Sequence, residues 1–290
     1  MQETRYELPK TLEAAVALLA GANGQARVLA GGTDLLIQMR GGRVEPALIV
    51  DIKGIPEMTA IAMDNGAYRF GAAVPCMVLV ENKEFGKVWP GLVDGANLIG
   101  SIQVRGRATV GGNLCNASPA ADTVPAMMAA GAKASIIGPK GRREVPIEEV
   151  ATGPGKTSLA KGEIVASFLL PKRAPRSGDA YLRFIPRTEM DIAVVGAGVN
   201  LTLDDKGVCT HARVAIGAVA ERALMVPDAA AALVGTNVDA EALKRMAAAV
   251  SAACRPIDDK RGTKEYRIKV SGVMARRAAE IALERARRKS

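Results

Sequence analysis

Two short stretches hold most of the residues able to do binding chemistry. Thr109 to Asp122 (TVGGNLCNASPAAD) places Thr109 and Val110 before adjacent glycines Gly111 and Gly112, then Asn113, Asn116, Ser118 and Asp122, all within fourteen positions. Glycines leave backbone N–H groups open to close approach, and the small polar side chains donate or accept hydrogen bonds. Val28 to Leu35 (VLAGGTDL) repeats the scheme with an apolar lead-in of Val28, Leu29 and Ala30, the pair Gly31 and Gly32, then Thr33, Asp34 and Leu35. Each stretch alone reads better as a tight turn with polar decoration, because glycine is the default turn residue. Taken together, as two glycine nests each at a strand exit, they suit an extended, phosphate-bearing ligand clamped from both sides.

Other chemistries find less support. Cys76, Cys115, Cys209 and Cys254 are scattered, with no Cys-x-x-Cys pair and no zinc or iron–sulfur spacing. His211 is the only histidine, which excludes a multi-histidine metal site, and no Gly-x-Ser-x-Gly elbow accompanies it. Gly153 to Ser158 (GPGKTS) imitates a phosphate-binding P-loop, but Val150 stands where the motif needs its first glycine, so a plain loop is expected. Gly196-Ala-Gly198 lacks a third glycine and a following helix, and is read as close strand packing. Neither a metal site nor a catalytic side chain is assigned.

At 290 residues the chain can bury two or three cores, and its hydrophobic content of 49% is that of an ordinary globular protein. No apolar run approaches the roughly 18 residues of a membrane span, and the first residues lack the basic-then-apolar build of a signal peptide, so a cytoplasmic location with reduced thiols is expected. The formal charge of +9 raises the question of nucleic acid, yet aromatics make up only 3% of residues and offer few stacking platforms. The densest basic run, Arg276-Arg277 with Arg285 to Lys289, lies along a terminal helix and reads as a solvated or partner-facing surface; no nucleic-acid partner is expected.

The elements that must hold these stretches follow from periodicity. Tyr6 to Leu8, Arg27 to Ala30 and Ala47 to Ile52 read as strands alternating with helices that begin after Thr11 and at Asp34, an order that implies a small parallel sheet. Asp64-Asn-Gly66 marks a hairpin, as does the turn from Gly138 to Gly141; Glu163 to Leu170 reads as a further strand and Val124 to Ala130 as a helix. Pro171 to Gly178 (PKRAPRSG) is read as a linker and domain boundary. Beyond it come strands over 181–185, 192–203 and 208–218, then helices over 228–234, 239–252 and 266–287. Strict alternation along the third of these strands places Cys209, His211 and Arg213 on one face.

The glycine stretches together resemble the paired flavin-binding signatures of the FAD-carrying medium subunit of molybdenum hydroxylases, a family that includes carbon monoxide dehydrogenase and xanthine dehydrogenase. The resemblance spans nearly the whole chain, since Leu159-x-x-Gly162-Glu163-Ile164, Arg187-x-x-x-Asp191-Ile192-Ala193 and Glu265-Tyr266-Arg267 match in order. It implies an α+β fold: a two-subdomain FAD-binding unit of the PCMH/VAO type over residues 1–172, divided at about 1–55 and 56–172, then a sheet-plus-helices domain over 179–288. The smaller subdomain would hold the parallel βαβ part and the larger a mixed or antiparallel sheet.

By the same resemblance, Val28 through Leu35 would wrap the FAD pyrophosphate, and Thr109 through Asn113 would serve the second phosphate and the ribityl side. Asn116, Ser118 and Asp122 would hold polar edges of the cofactor, backbone near Val165 would meet its adenine or flavin edge, and Arg183, where relatives often carry lysine, would approach the flavin. The implied activity is oxidoreductase electron transfer. Substrate chemistry occurs on a large molybdenum-cofactor subunit, electrons cross a small [2Fe-2S] subunit, and FAD on this chain hands them to an acceptor such as NAD or a quinone. A free-standing FAD oxidoreductase and a non-redox nucleotide-binding module are the alternative readings; a yellow purified protein excludes the second, and copurifying partner chains exclude the first.

Overall fold

The structure is a computed structural model that describes residues 3–288; residues 1 and 2 of the first predicted domain, and Lys289 of the basic run, lie outside the described residues. A three-stranded parallel sheet opens the chain in the order Arg5–Glu7, Leu48–Asp51, Ala26–Leu29. The middle strand is buried at all four positions: Leu48, Ile49 and Val50 form the apolar run expected of a strand covered on both faces, and the Asp51 carboxylate is paired with Lys53 and accepts from the Tyr6 hydroxyl. The helix Leu12–Gly21 starts where the Thr11 hydroxyl accepts from the Ala14 N–H, and it buries Leu12, Val16 and Leu19.

A five-stranded antiparallel sheet follows, ordered Ile61–Asp64, Ala67–Gly71, Ile164–Leu170, Lys133–Gly138, Gly141–Pro146. Its first hairpin turns through Asn65 and Gly66, both at positive φ (50° and 83°), the geometry that two-residue turns demand. Phe70, Phe85 and Phe168 fill its core, the first and last with ring centroids 5.2 Å apart. The C-terminal part is a four-stranded antiparallel sheet, Ser177–Phe184, Val195–Leu203, Cys209–Gly217 and Leu224–Met225, covered by the helices Ala240–Ala253 and Lys264–Arg288. The last helix sits so close to the sheet that a Cβ on Gly178 would lie 1.9 Å from the Ala282 carbonyl oxygen.

The helix Thr123–Ala130 joins these parts, with all eight residues buried. A Cβ on Gly198, in the C-terminal sheet, would fall 2.5 Å from its Pro125 carbonyl oxygen, so the glycine read as a site of close strand packing in fact admits this helix. The segment 171–178, read as a linker, is a packed seam. The Arg173 side chain is only 8% exposed, bonds to Asp179 at 2.7 Å and to the Val88 carbonyl, and lies 4.6 Å over the Trp89 ring; Ser177 already begins a strand.

The alternation read along 208–218 also fails at one point. Leu203 pairs with Cys209 but Thr202 pairs with His211, a bulge that leaves Cys209 in the core beside Ala212 and Val214 while His211 faces solvent.

Candidate functional site

The first glycine stretch leaves the strand Ala26–Leu29 and enters the six-residue helix Leu35–Arg40. Its two glycines do different work. A Cβ on Gly31 would sit 2.0 Å from the Arg107 carbonyl oxygen, so this position lets two backbone segments touch. Gly32 has φ +80°, which an L side chain rarely adopts. With the chain turned this way, the backbone N–H groups of Gly32, Thr33, Asp34 and Leu35 find no acceptor among the described residues. Such a run of unclaimed donors is an anion-binding concavity.

The second stretch differs from the expected strand exit. Val110–Cys115 is a short helix, and its N-cap Thr109 accepts from the Gly112 N–H through Oγ1 at 2.9 Å. The Gly111 N–H donates to Ala72 and the Asn113 N–H to Thr109 (3.2 and 2.9 Å), so the donors at these three positions are already engaged and the bare-nest reading holds for the first stretch alone. Gly111 is fixed by packing, because a Cβ there would lie 2.4 Å from the Ala72 carbonyl oxygen; at Gly112 a Cβ would meet only Thr109 Oγ1, at 3.1 Å. Asn113 Oδ1 accepts from the Thr123 N–H and hydroxyl (3.2 and 2.7 Å), which ties the wall to the central buried helix.

The two stretches meet at one cavity of about 270 Å³. That is near the lower end of the roughly 300–1,000 Å³ typical of small-molecule sites, room for part of an extended ligand. The first stretch lines it with Val28, Ala30, Gly31, Gly32, Thr33, Asp34 and Leu35, the second with Thr109, Gly111, Gly112, Asn113 and Asn116, and Val165 is also in the lining. Asn116 spans the gap, donating to Asp34 Oδ1 at 3.3 Å and accepting from Gln38 Nε2 at 3.2 Å. Burial raises the Asp34 carboxyl above the ordinary range.

Five of the predicted residues stand behind or beside the lining. Leu29 lies under Gly32, Val110 is in the core, and Ser118 Oγ accepts from the Ala120 N–H at 3.2 Å. Asp122 is 61 positions from Arg183 in sequence, yet its carboxylate accepts from that guanidinium at 2.8 Å and from the Tyr181 hydroxyl at 2.9 Å. Burial pushes the Asp122 carboxyl up to about 6, against Arg183 and Tyr181, which pull it down. Arg27, Gln38, Cys115 and Glu163 also line the cavity without having been singled out for it. Gln38 follows Asp34 at i+4, one helical turn along the same face, and that spacing was the available signal. The Arg143 guanidinium, paired in a fork at 2.9 and 2.8 Å, holds the Glu163 carboxyl below its usual range.

These residues suit FAD: four unclaimed N–H donors and the Arg27 cation for a pyrophosphate, and small polar side chains for hydroxyl groups. Among the described residues no group of three metal-ligating side chains forms, and no helix is long and apolar enough to cross a membrane.

Comparison with known proteins agrees. Residues 2–173 match the family model "FAD binding domain in molybdopterin dehydrogenase" and residues 180–282 match "CO dehydrogenase flavoprotein C-terminal domain". The chain is 32% identical to the putative xanthine dehydrogenase FAD-binding subunit of Escherichia coli K12, covering 96% of this chain and 95% of that protein. It is 33% identical to the carbon monoxide dehydrogenase medium chain of Afipia carboxidovorans, covering 97% of each. Among solved structures, CO dehydrogenase from Oligotropha carboxidovorans superposes with a TM-score of 0.93 at 32% identity over 98% of both chains. Quinoline 2-oxidoreductase from Pseudomonas putida 86 superposes with 0.90 at 27% identity, again over 98% of both. The α+β architecture, the FAD cofactor and the oxidoreductase class are thereby shown, and the chain belongs to the FAD-binding subunits of the molybdenum hydroxylases.

Proposed function

We propose that this chain is the electron-transfer subunit of a multisubunit molybdenum hydroxylase, taking electrons from a small [2Fe-2S] chain that serves a large molybdenum-cofactor chain, and delivering them to an acceptor such as NAD or a quinone. The observation that carries this reading is the convergence of both glycine stretches on one cavity with a run of free N–H donors. Bound FAD supplies the redox chemistry, accepting two electrons with protons at its ring system; the protein supplies binding, orientation and electrostatics. The donors of Gly32 to Leu35 take the pyrophosphate, Gly112 and Asn113 form the facing wall, and Val165 meets one ring edge. Leu29 and Val110 back the two walls, Ser118 shapes the turn that follows the second stretch, and Asp122 with Arg183 anchors that turn to the C-terminal sheet. Four free cysteines accord with a reducing, cytoplasmic compartment.

Coexpression with a large molybdenum-cofactor chain and a small [2Fe-2S] chain as the proposed partners tests this. A yellow complex should bleach on addition of the complex's substrate and regain colour with one acceptor of a panel. A colourless complex, or a flavin that substrate leaves oxidised, would end the proposal.

A further inference from the structure

Asp34, Asn116 and Gln38 form a chain of side chains across the gap between the two glycine stretches, and its polarity is set from one end. A carboxylate only accepts, so Asn116 must present Nδ2 to Asp34, at 3.3 Å. That turns Asn116 Oδ1 toward Gln38, which must answer with Nε2, at 3.2 Å. Reversing either amide would set donor against donor or acceptor against acceptor. Two acceptors are then left without a partner among the described residues, Gln38 Oε1 and Asp34 Oδ2, both on side chains that line the cavity.

We propose that Gln38 is a positioning residue for the cofactor: acting through Asn116, it locks the bridge between the two glycine stretches and completes an acceptor edge for the sugar-alcohol hydroxyls of FAD. This rests on the FAD reading above. The cavity is thereby polarised. N–H donors of Gly32 to Leu35 draw an anionic group to one side, while an edge of bare acceptors repels phosphate and accepts from hydroxyls. An extended dinucleotide has both kinds of group and enters in one register.

The test is FAD titration of the full, cofactor-stripped chain by quenching of flavin fluorescence, in the parent and in Gln38→Ala, Gln38→Glu, Asn116→Ala and the Gln38→Ala/Asn116→Ala double variant. Losing the Gln38 donor strands the Asn116 carbonyl, so Gln38→Ala should weaken FAD by about tenfold. In the Asn116→Ala background the same change should cost no more than about threefold, since the bridge that Gln38 locks is already gone and only its Oε1 acceptor remains to be lost. Gln38→Glu keeps size but loses the donor and should fall with Gln38→Ala; it carries the test should the alanine variant fail to fold. Melting of the cofactor-free variants should match the parent, because Gln38 is only partly buried. Equal losses in both backgrounds, or parental affinity in Gln38→Glu, would overturn the assignment. A parent chain that binds no FAD would instead strike the functional reading itself.

Discussion

The Tyr181 hydroxyl donates to Asp122 Oδ1 at 2.9 Å, and through that bond a strand of the C-terminal sheet grips the turn that follows the second glycine stretch. Arg183, two residues further on the same strand, takes the other carboxylate oxygen, and its own side chain is only 4% exposed. Removing one partner of a buried pair leaves a charge without compensation, a loss of about 3–5 kcal/mol. Asp122→Ala should therefore unfold at markedly lower urea, and the Asp122→Ala/Arg183→Met double variant should recover much of the difference. A double variant no more stable than the single one would show that the pair is not the source.

The same carboxyl sets a pH dependence. Its pKa is raised, to about 6, from an unfolded value near 4, so the folded chain holds a proton where the unfolded chain has lost it. The stability it contributes is complete below about pH 4, declines as pH rises to about 6, and is flat above. Asp122→Asn does not titrate, so the urea midpoint of the parent minus that of this variant should fall across that window and level off at neutral pH. A difference that rises with pH would contradict the assignment.

Substitutions at two glycines should separate folding from binding. Gly31→Ala drives a methyl group into the Arg107 carbonyl oxygen and should destabilise the chain by about 2 kcal/mol or more, by the cost of overpacking. Gly112→Ala meets only the Thr109 hydroxyl, so melting should change little while FAD affinity drops. Calorimetry and flavin titration on the same two proteins read both effects, and a Gly112→Ala chain with parental affinity would remove this residue from the cofactor wall.

Arg173 and Arg276 are both arginines paired with an acid, but the first pair is buried and the second lies in solvent, with side chains 48% and 45% exposed. Arg173→Ala should cost about 3–5 kcal/mol and Arg276→Ala under about 1 kcal/mol. Equal urea midpoints for the two variants would argue against the packed seam.

Burial raises the thiols of all four cysteines, those of Cys76 and Cys115 to about 12. Iodoacetamide at pH 8 should leave the native chain nearly unmodified by mass spectrometry and label it four times after denaturation. Rapid native labelling at Cys115 would indicate a more open cavity.

Local signals carried far in this sequence. Asn65-Gly66 dictates its hairpin because both residues accept positive φ, and the apolar run from Leu48 has one place to go, the middle of a covered sheet. The first glycine stretch was legible for the same reason, since Gly32 does what only glycine does readily. The helix at Val110–Cys115 was hidden by a glycine pair that opposes helix formation; the Thr109 cap and the bond to Ala72 override that propensity. Arg173 sits in a stretch whose prolines and charges look like a tether, and nothing local announces Asp179 and Trp89 as partners. The bulge before His211 and the Asp122–Arg183 pair also depend on residues distant in the chain.

Because the helix Thr123–Ala130 has no solvent face, the polypeptide cannot be divided cleanly into a flavin half and a tail. Cut near residue 175 and expressed apart, each fragment would carry a raw apolar wall. Mixed together they should reassemble, and left alone each should aggregate.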